Sequence, residues 1–293
     1  MSALAKTDYA PWSLSEEVVS DLTRKGAHIF DDRLDAGSCG DLLAQIRAAR
    51  RLDESLFLTE AEFDADPHAA ADVSPRPGRN LLERLDSRLS FVERSPQIVE
   101  ALWSLLGPDY RILDKAVVCD VPTSAIPEWV KRRLRGEPAS DLGVYVRPEH
   151  RDVAYSYGGD FHQDLMDNTD GGGDVIALHV YLHQVSEQDA PLQVLEGSHR
   201  LGGTAFPHDL KRTGPDSWRY RNGRFGEMYL TQRQLTGETG FAAIWHACTL
   251  NGVQTSDHER TSLRYLISRG EAHAAGIDAV NASLAGPVEQ SLP

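Results

Sequence analysis

The clearest pattern in this sequence is the alternation of side chains along Val175–Val185. Successive side chains of a strand point to opposite faces of the sheet, so a period of two predicts a β-strand. The pattern favours a strand with one apolar face and one face that carries histidine and tyrosine. The two faces are Ile176, Leu178, Val180 and Leu182 on one side, and Ala177, His179, Tyr181 and His183 on the other.

Helical patterns come first in the chain, and short strands come later. Ser15 can cap a helix that runs through Arg24 and that Gly26 stops. This order predicts an α+β fold that is mainly β, a β-sandwich or barrel braced by N-terminal helices. The other predicted elements are helices over Cys39–Arg51 and Pro96–Leu106 and strands over Ala27–Phe30, Ile112–Val121, Leu192–Leu195, Gly240–His246 and Leu263–Ser268.

The length of 293 residues suits one enlarged domain or two small ones, and β barrels of this length are often one domain. We expect a single domain over residues 1–293, with a helical part at about 13–106, a β core at about 110–270 and a loose tail at 271–293. The acidic segment Asp53–Arg79, rich in alanine, aspartate and proline, is predicted to be a surface loop. The sequence has no glycine-rich turn between a strand and a helix, which argues against a nucleotide-binding α/β sheet.

The net charge of −14 disfavours two classes of partner. A surface this acidic repels nucleic acid and anionic membranes on average, so we expect neither as a partner. The three cysteines have no paired spacing, which favours a reducing compartment. No apolar run is long enough for a signal peptide or a membrane helix. These features predict a cytoplasmic protein that acts on a small molecule.

The residues with the most chemical meaning are His162 and Asp164. Side chains two residues apart on an extended strand project to the same side, so an imidazole and a carboxylate could share one metal ion. A lone His-x-Asp is a weak signal, because it arises by chance in many proteins. A metal site therefore needs a third ligand from elsewhere in the chain.

His246 is the predicted third ligand because it follows the apolar strand Phe241–Trp245. Two histidines and one carboxylate on one face of a metal form the facial triad of non-haem iron(II) oxygenases. The three open positions would bind a chelating keto acid and O₂. We therefore predict His162, Asp164 and His246 as the metal ligands and the catalytic centre.

A keto acid such as 2-oxoglutarate also needs a cation for its far carboxylate. Arg260 opens a predicted strand and alternates onto one face with Ser262. The planar fork of an arginine suits a carboxylate better than a lysine does. Arg260 is thus the predicted carboxylate ligand, Ser262 its neighbour, and Arg264, on the same face, the second choice.

These motifs together resemble the phytanoyl-CoA dioxygenase family of iron(II)- and 2-oxoglutarate-dependent oxygenases. The resemblance covers roughly residues 112–269 and is most specific in the run that ends with Gly-Ser-His-Arg. The landmarks, in the family's order, are His162-Gln163-Asp164, the strand Val175–Val185, the run Pro191–Arg200, and His246 with Asn251 and Arg260.

The resemblance implies a double-stranded β-helix (jelly-roll) core with iron(II), 2-oxoglutarate and O₂ at one mouth. It places Gln163 near the co-substrate, and Thr249 or Ser262 as the hydroxyl beside Arg260. His179 is a further candidate for the mouth of the barrel. The carboxylate of Asp164 favours hydroxylation or a related oxidation over halogenation, which requires a small residue there.

The chain departs from the family pattern at several positions. The spacing from His246 to Arg260 is longer than usual, Cys248 stands where serine is frequent, and Ala190 replaces a glycine. These departures concern the choice of arginine more than the metal ligands. A structural role fits His199 better than metal binding does, since it lies in a turn that hydrogen bonds would hold together.

The substrate is the least determined part of the prediction. Loops around the mouth of a jelly roll select the substrate, and we expect these to include residues 135–157 and 207–229. Arginines there, among them Arg147, Arg151, Arg219 and Arg221, favour a small polar or anionic molecule. Two other functions remain open: a metal enzyme of the same fold that uses no keto acid, and a non-catalytic protein that binds a small molecule.

Overall fold

Two six-stranded sheets form the centre of the fold in the part of the chain that the structure describes. The structure is a computed structural model that describes residues 15–65, 80–164, 175–204, 207–222 and 226–269. The strands are β1 Ala27–Ile29, β2 Arg111–Asp120, β3 Ala154–Ser156, β4 Gly159–His162, β5 Val175–Tyr181, β6 Leu192–Glu196, β7 Asp209–Arg212, β8 Ser217–Asn222, β9 Gly226–Leu235, β10 Ala242–His246, β11 Asn251–Val253 and β12 Arg260–Ser268.

The helices lie mainly in the N-terminal part, as the sequence predicts. They are α1 Glu16–Lys25, α2 Ala36–Ala49, α3 Glu60–Ala65, α4 Leu81–Arg84, α5 Ser90–Glu93, α6 Pro96–Leu106 and α7 Glu128–Leu134. Among the described residues, no helix is long and apolar enough to span a membrane.

The order of strands gives the jelly roll. The major sheet runs β1-β10-β5-β12-β2-β3, and all its neighbours are antiparallel except β2 and β3. The minor sheet runs β4-β11-β6-β9-β8-β7, with antiparallel neighbours throughout. The strands from β3 to β6 and from β9 to β12 alternate between the two sheets. This topology confirms the predicted α+β, mainly β class with a double-stranded β-helix core braced by helices.

Strand β5 shows how the alternating pattern separates two cores. Ile176 and Leu178 pack in the large cluster that the helices cover. Ala177 and Tyr181 face the other way, into a cluster shared with Leu192 and other residues of the minor sheet. All seven residues of β5 are buried, so the polar face of this strand points into the barrel interior and not to solvent.

The N-terminal helix confirms the predicted capping residues. The Ser15 side chain accepts a hydrogen bond from the backbone N–H of Val18, and Gly26 ends the helix with φ +78°. Helix α2 begins at Ala36, before the predicted Cys39, because the Asp35 side chain accepts from the Ser38 N–H at 2.6 Å. Hydrogen bonds to the capping side chains thus set the first residue of both helices.

Two predicted loops differ from the structure. Residues 207–229, expected to be a loop at the mouth, contain β7, β8 and the start of β9, which extend the minor sheet. These strands are mostly exposed and polar, so they lack the apolar alternation that would mark them in the sequence. The predicted loop 53–79 contains α3, its residues 66–79 lie outside the described residues, and so does the predicted tail 271–293.

Candidate active site

His162 and Asp164 lie together at the end of β4, as their spacing predicts. His162 Nε2 and Asp164 Oδ1 are 4.0 Å apart. His162 Nδ1 lies 2.9 Å from the Asp160 carbonyl, so Nδ1 donates there and leaves the lone pair of Nε2 facing the carboxylate. Donor atoms that each lie about 2.1 Å from one ion are at most about 4.2 Å apart. A small rotation of the half-exposed imidazole would bring the pair to a shared ion.

The other oxygen of Asp164 is held firmly inside the protein. The Asp164 side chain is only 5% exposed. Its Oδ2 accepts from Trp245 Nε1 at 2.8 Å and from Asn251 Nδ2 at 3.1 Å. Two donors on one oxygen fix the carboxylate so that Oδ1 faces His162.

Asn251 is the third polar residue at this pair. It begins β11, whose register places it opposite His162 on β4 and opposite Val194 on β6. Its Nδ2 is also 3.4 Å from the His162 carbonyl and 3.5 Å from the Thr249 carbonyl. The amide nitrogen is therefore surrounded by acceptors.

His246, the predicted third ligand, lies with a different group of residues. Trp245 points to Asp164, and the next residue of a strand points to the opposite face. His246 Nδ1 accepts from the Cys248 N–H at 3.1 Å, and its ring centroid is 6.3 Å from that of His199. His199 in turn contacts the Thr23 carbonyl in α1. The structure therefore does not bring His246 to His162 and Asp164.

Arg260 is a buried cation with free donors. Its residue is 1% exposed, and its Nε and Nη1 have no hydrogen-bond partner among the described residues. Burial raises the pKa of Tyr181, and the nearby Arg260 charge lowers it. Ser262 follows on the same face of β12 and is fully buried, as the alternation predicts. A buried charge without a partner is costly, so this arrangement favours an anion that is bound beside Arg260.

The acid closest in register to Arg260 is Asp120, its cross-strand neighbour on β2. Within the described residues no carboxylate forms an ion pair with Arg260. Asp120 Oδ1 accepts from Ser156 and Gly158, while its Oδ2 has no hydrogen-bond partner among the residues that the structure describes. Burial raises the pKa of Asp120, although the Arg260 charge lowers it. Asp120 thus leaves the donors of Arg260 unsatisfied.

His179 connects the two parts of the interior. It stacks on Trp245 with ring centroids 4.6 Å apart and pairs across the sheet with Arg264. Burial holds the pKa of His179 well below its usual value, and the charges of Arg264, Arg260 and His162 lower it further. His179 is therefore a neutral side chain near both Arg260 and His162, which supports its predicted place at the mouth.

Gln163 and Thr249, which the family resemblance places near the co-substrate, both form hydrogen bonds with backbone groups. Gln163 Nε2 donates to the carbonyls of Gly202 and Cys248, and its Oε1 accepts from the Thr204 N–H. It points away from its two neighbours because side chains alternate along an extended chain. The Thr249 hydroxyl donates to the Gly26 carbonyl at 2.7 Å.

Most of the arginines that favoured an anionic substrate already have acidic partners. Arg147 binds Glu62 through both Nη atoms at 3.1 Å. Arg219 and Arg221 both pair with Glu227 on β9. Arg264 pairs with Asp114 at 3.1 Å. These charges are compensated, which leaves Arg260 as the stronger signal for an anion.

The site fits a metal and a keto acid in part. His162 and Asp164 supply two suitable donors, and Arg260 supplies a buried cation for a carboxylate. In the described segments, however, no group of three or more His, Cys, Asp or Glu side chains is placed to hold a metal ion. The fit is thus incomplete at the third ligand.

Sequence reasoning gave no role to two residues that contact Asp164. The role of Trp245 could have been inferred from strand alternation, because Trp245 and His246 point to opposite faces of β10 and only one of them can face Asp164. Asn251 stood among the family landmarks without a function, and the long spacing from His246 to Arg260 is the feature of the sequence that could have drawn attention to it.

Comparisons with known proteins identify the fold. No protein-family model matches the sequence, and no curated protein is similar to it. The crystal structure of the epimerase SnoN in complex with Fe3+, alpha ketoglutarate and nogalamycin RO is similar, with a TM-score of 0.53 and 17% identity over 95% of this chain and 91% of that chain. The crystal structure of EctD from S. alaskensis in its apoform is also similar, with a TM-score of 0.50 and 14% identity over 94% of this chain and 84% of that chain.

These similarities show that the chain shares the jelly-roll fold of non-haem enzymes that use α-ketoglutarate, the group in which SnoN is placed. At 14–17% identity they define the fold alone.

Proposed function

We propose that this protein is an iron(II)- and 2-oxoglutarate-dependent oxygenase that oxidises a small organic molecule with O₂ and releases succinate and CO₂. The observation that carries the proposal is Arg260, a buried guanidinium in the barrel interior with two nitrogens that no described residue hydrogen-bonds. The His162–Asp164 pair near the same interior and the shared fold support it.

Each residue has a defined task in this proposal. Arg260 binds the far carboxylate of 2-oxoglutarate through its free N–H groups, with the buried Ser262 beside it. His162 and Asp164 hold iron(II), and Trp245 keeps the Asp164 carboxylate in place. Iron(II), when bound, would supply the activation of O₂ that protein side chains cannot provide. The sequence predicts His246 as a further ligand, whereas Asn251 is the residue that contacts the pair.

The motifs favour the phytanoyl-CoA dioxygenase family within this superfamily, and hydroxylation as the outcome because Asp164 is a carboxylate. The substrate that we propose is small and polar or anionic. A non-catalytic binding protein is the second candidate, because the described residues do not assemble three metal-binding side chains. Such a protein would keep Arg260 and bind a dicarboxylate without oxidising it.

The test is slow, substrate-free turnover of 2-oxoglutarate. Purified protein with iron(II), 2-oxoglutarate and O₂ should form succinate, and Arg260→Gln should abolish this while Arg264→Gln, which loses a partly exposed pair with Asp114, should retain most of it. Tight 2-oxoglutarate binding without any succinate, with iron bound, would favour the non-catalytic protein.

A further inference from the structure

We propose that Asn251 and not His246 occupies the third position of the metal site. In this arrangement only His162 and Asp164 are strong protein ligands, and iron(II) is retained firmly only together with a chelating keto acid. The inference rests on the proposed function, because it assumes that this pair binds iron(II).

The position of Asn251 follows from backbone pairing and not from a flexible side chain. β11 lies between β4 and β6, and Asn251 is the Cα partner of His162. The residue is 3% exposed, so the surrounding strands fix its amide. A side chain at this place faces the same buried carboxylate that His162 faces, which is the requirement for a third ligand.

The contacts of the amide show what it does there. Its Nδ2 lies within 3.1–3.5 Å of three acceptors, Asp164 Oδ2 and the carbonyls of His162 and Thr249. Rotating the amide by 180° would place an oxygen against those acceptors, so the nitrogen must face them. Asn251 is thus a donor that positions Asp164, and it offers no imidazole to a metal.

His246 cannot take the same position without rebuilding its surroundings. Its Nδ1 accepts the Cys248 N–H, its backbone N–H donates to the Gly26 carbonyl, and its ring lies by His199 on the α1 side. Gly26 itself is closely packed, since a Cβ added there would lie 2.3 Å from His199 Nδ1. These contacts tie His246 to the helical side of the sheet.

A site with two strong protein ligands should depend on its co-substrate for metal affinity. Removing one imidazole from a metal site costs at least as much affinity as changing residues around the ligands, which is typically about 10- to 100-fold. A keto acid anchored by Arg260 would restore the missing donors. Linkage then requires that metal and keto acid each increase the affinity for the other by the same factor.

The experiment is an anaerobic titration with Co²⁺, followed by its visible absorption, with and without 2-oxoglutarate. Wild type should bind Co²⁺ at least about 10-fold more tightly with 2-oxoglutarate present. Asn251→His should raise the affinity in the absence of 2-oxoglutarate by about 10-fold or more and change the absorption bands. His246→Ala and His246→Gln should leave the wild-type affinity unchanged, with thermal unfolding as the check on folding.

A loss of Co²⁺ affinity of about 10-fold or more in a folded His246 variant would overturn the inference and restore His246 as the ligand, while leaving the proposed function intact. Affinity that does not respond to 2-oxoglutarate would also overturn it. If His162→Ala does not weaken Co²⁺ binding, the pair is not a metal site, and the inference and the proposed function fail together.

Discussion

Trp245 donates its indole N–H to Asp164 Oδ2 over 2.8 Å while the same indole stacks on His179. One side chain therefore holds the candidate metal-binding carboxylate and also packs against His179, the cross-strand neighbour of Arg264. Trp245 thereby links the proposed metal-binding pair to His179, on which the charges of Arg264 and Arg260 act.

Trp245→Phe should weaken metal binding by about 10- to 100-fold, since it removes a hydrogen bond that orients a metal-binding residue. The phenylalanine of this variant keeps an aromatic ring that can stack on His179. Trp218→Phe is the matched control, because Trp218 Nε1 also donates to a side chain, Gln232 Oε1 at 2.7 Å. The control should lose about 1 kcal/mol of unfolding free energy without any change in metal affinity. Equal metal affinity in both variants would contradict the role of Trp245.

Arg260→Gln should abolish binding of 2-oxoglutarate without reducing the free energy of unfolding. The guanidinium is buried and forms no ion pair within the described part of the chain, so removing its charge relieves an unfavourable desolvation. Isothermal titration with 2-oxoglutarate and urea denaturation measure the two effects. A variant that loses several kcal/mol of stability would instead mean that Arg260 is a structural residue compensated by Asp120.

Gly26→Ala should be strongly destabilising. Gly26 has φ +78°, and a Cβ there would lie 2.3 Å from His199 Nδ1 and 2.7 Å from Thr249 Oγ1. Strain of about 1–2 kcal/mol from the left-handed backbone adds to this overlap. Gly40→Ala is the control, because Gly40 lies within α2 with open space at its Cβ and should gain about 0.5–1 kcal/mol. Urea denaturation of both variants should give changes of opposite sign.

The three cysteines should resist thiol reagents in the folded protein. Cys39, Cys119 and Cys248 are all free and buried. Burial raises the pKa of Cys39 and Cys119 to about 12 and also raises the pKa of Cys248. A raised thiol pKa keeps the group protonated, so raising the pH from 7 to 9 should not produce labelling. Three labelled thiols should appear only after denaturation, and labelling of native Cys248 would contradict its burial beside His246.

The fold could be predicted where local chemistry and burial agree. The Ser15 cap, the αL glycine after α1 and the two faces of β5 are local features, and the structure confirms them. The strands β7 to β9 could not be found in this way, because exposed polar strands such as Asp209–Arg212 have no apolar face to mark them. Their position depends on cross-strand hydrogen bonds with distant residues.

The site could be predicted only where its geometry is local. The spacing of His162 and Asp164, and that of Arg260 and Ser262, follow from strand alternation alone. The residue beside His162 depends on which strand pairs with β4, and only the register of β11 places Asn251 there. The contacts of Gln163 could not be predicted either, because its three hydrogen-bond partners lie about 40 to 85 residues away in the sequence.

The most direct test of the account is the visible absorption of the complex of protein, iron(II) and 2-oxoglutarate without oxygen. A bidentate keto acid on iron(II) gives a weak charge-transfer band in the visible region. We predict that the band appears with wild type only when both iron(II) and 2-oxoglutarate are present, and that it disappears in Arg260→Gln. Absence of the band from wild type that has bound both iron(II) and 2-oxoglutarate would contradict the oxygenase assignment.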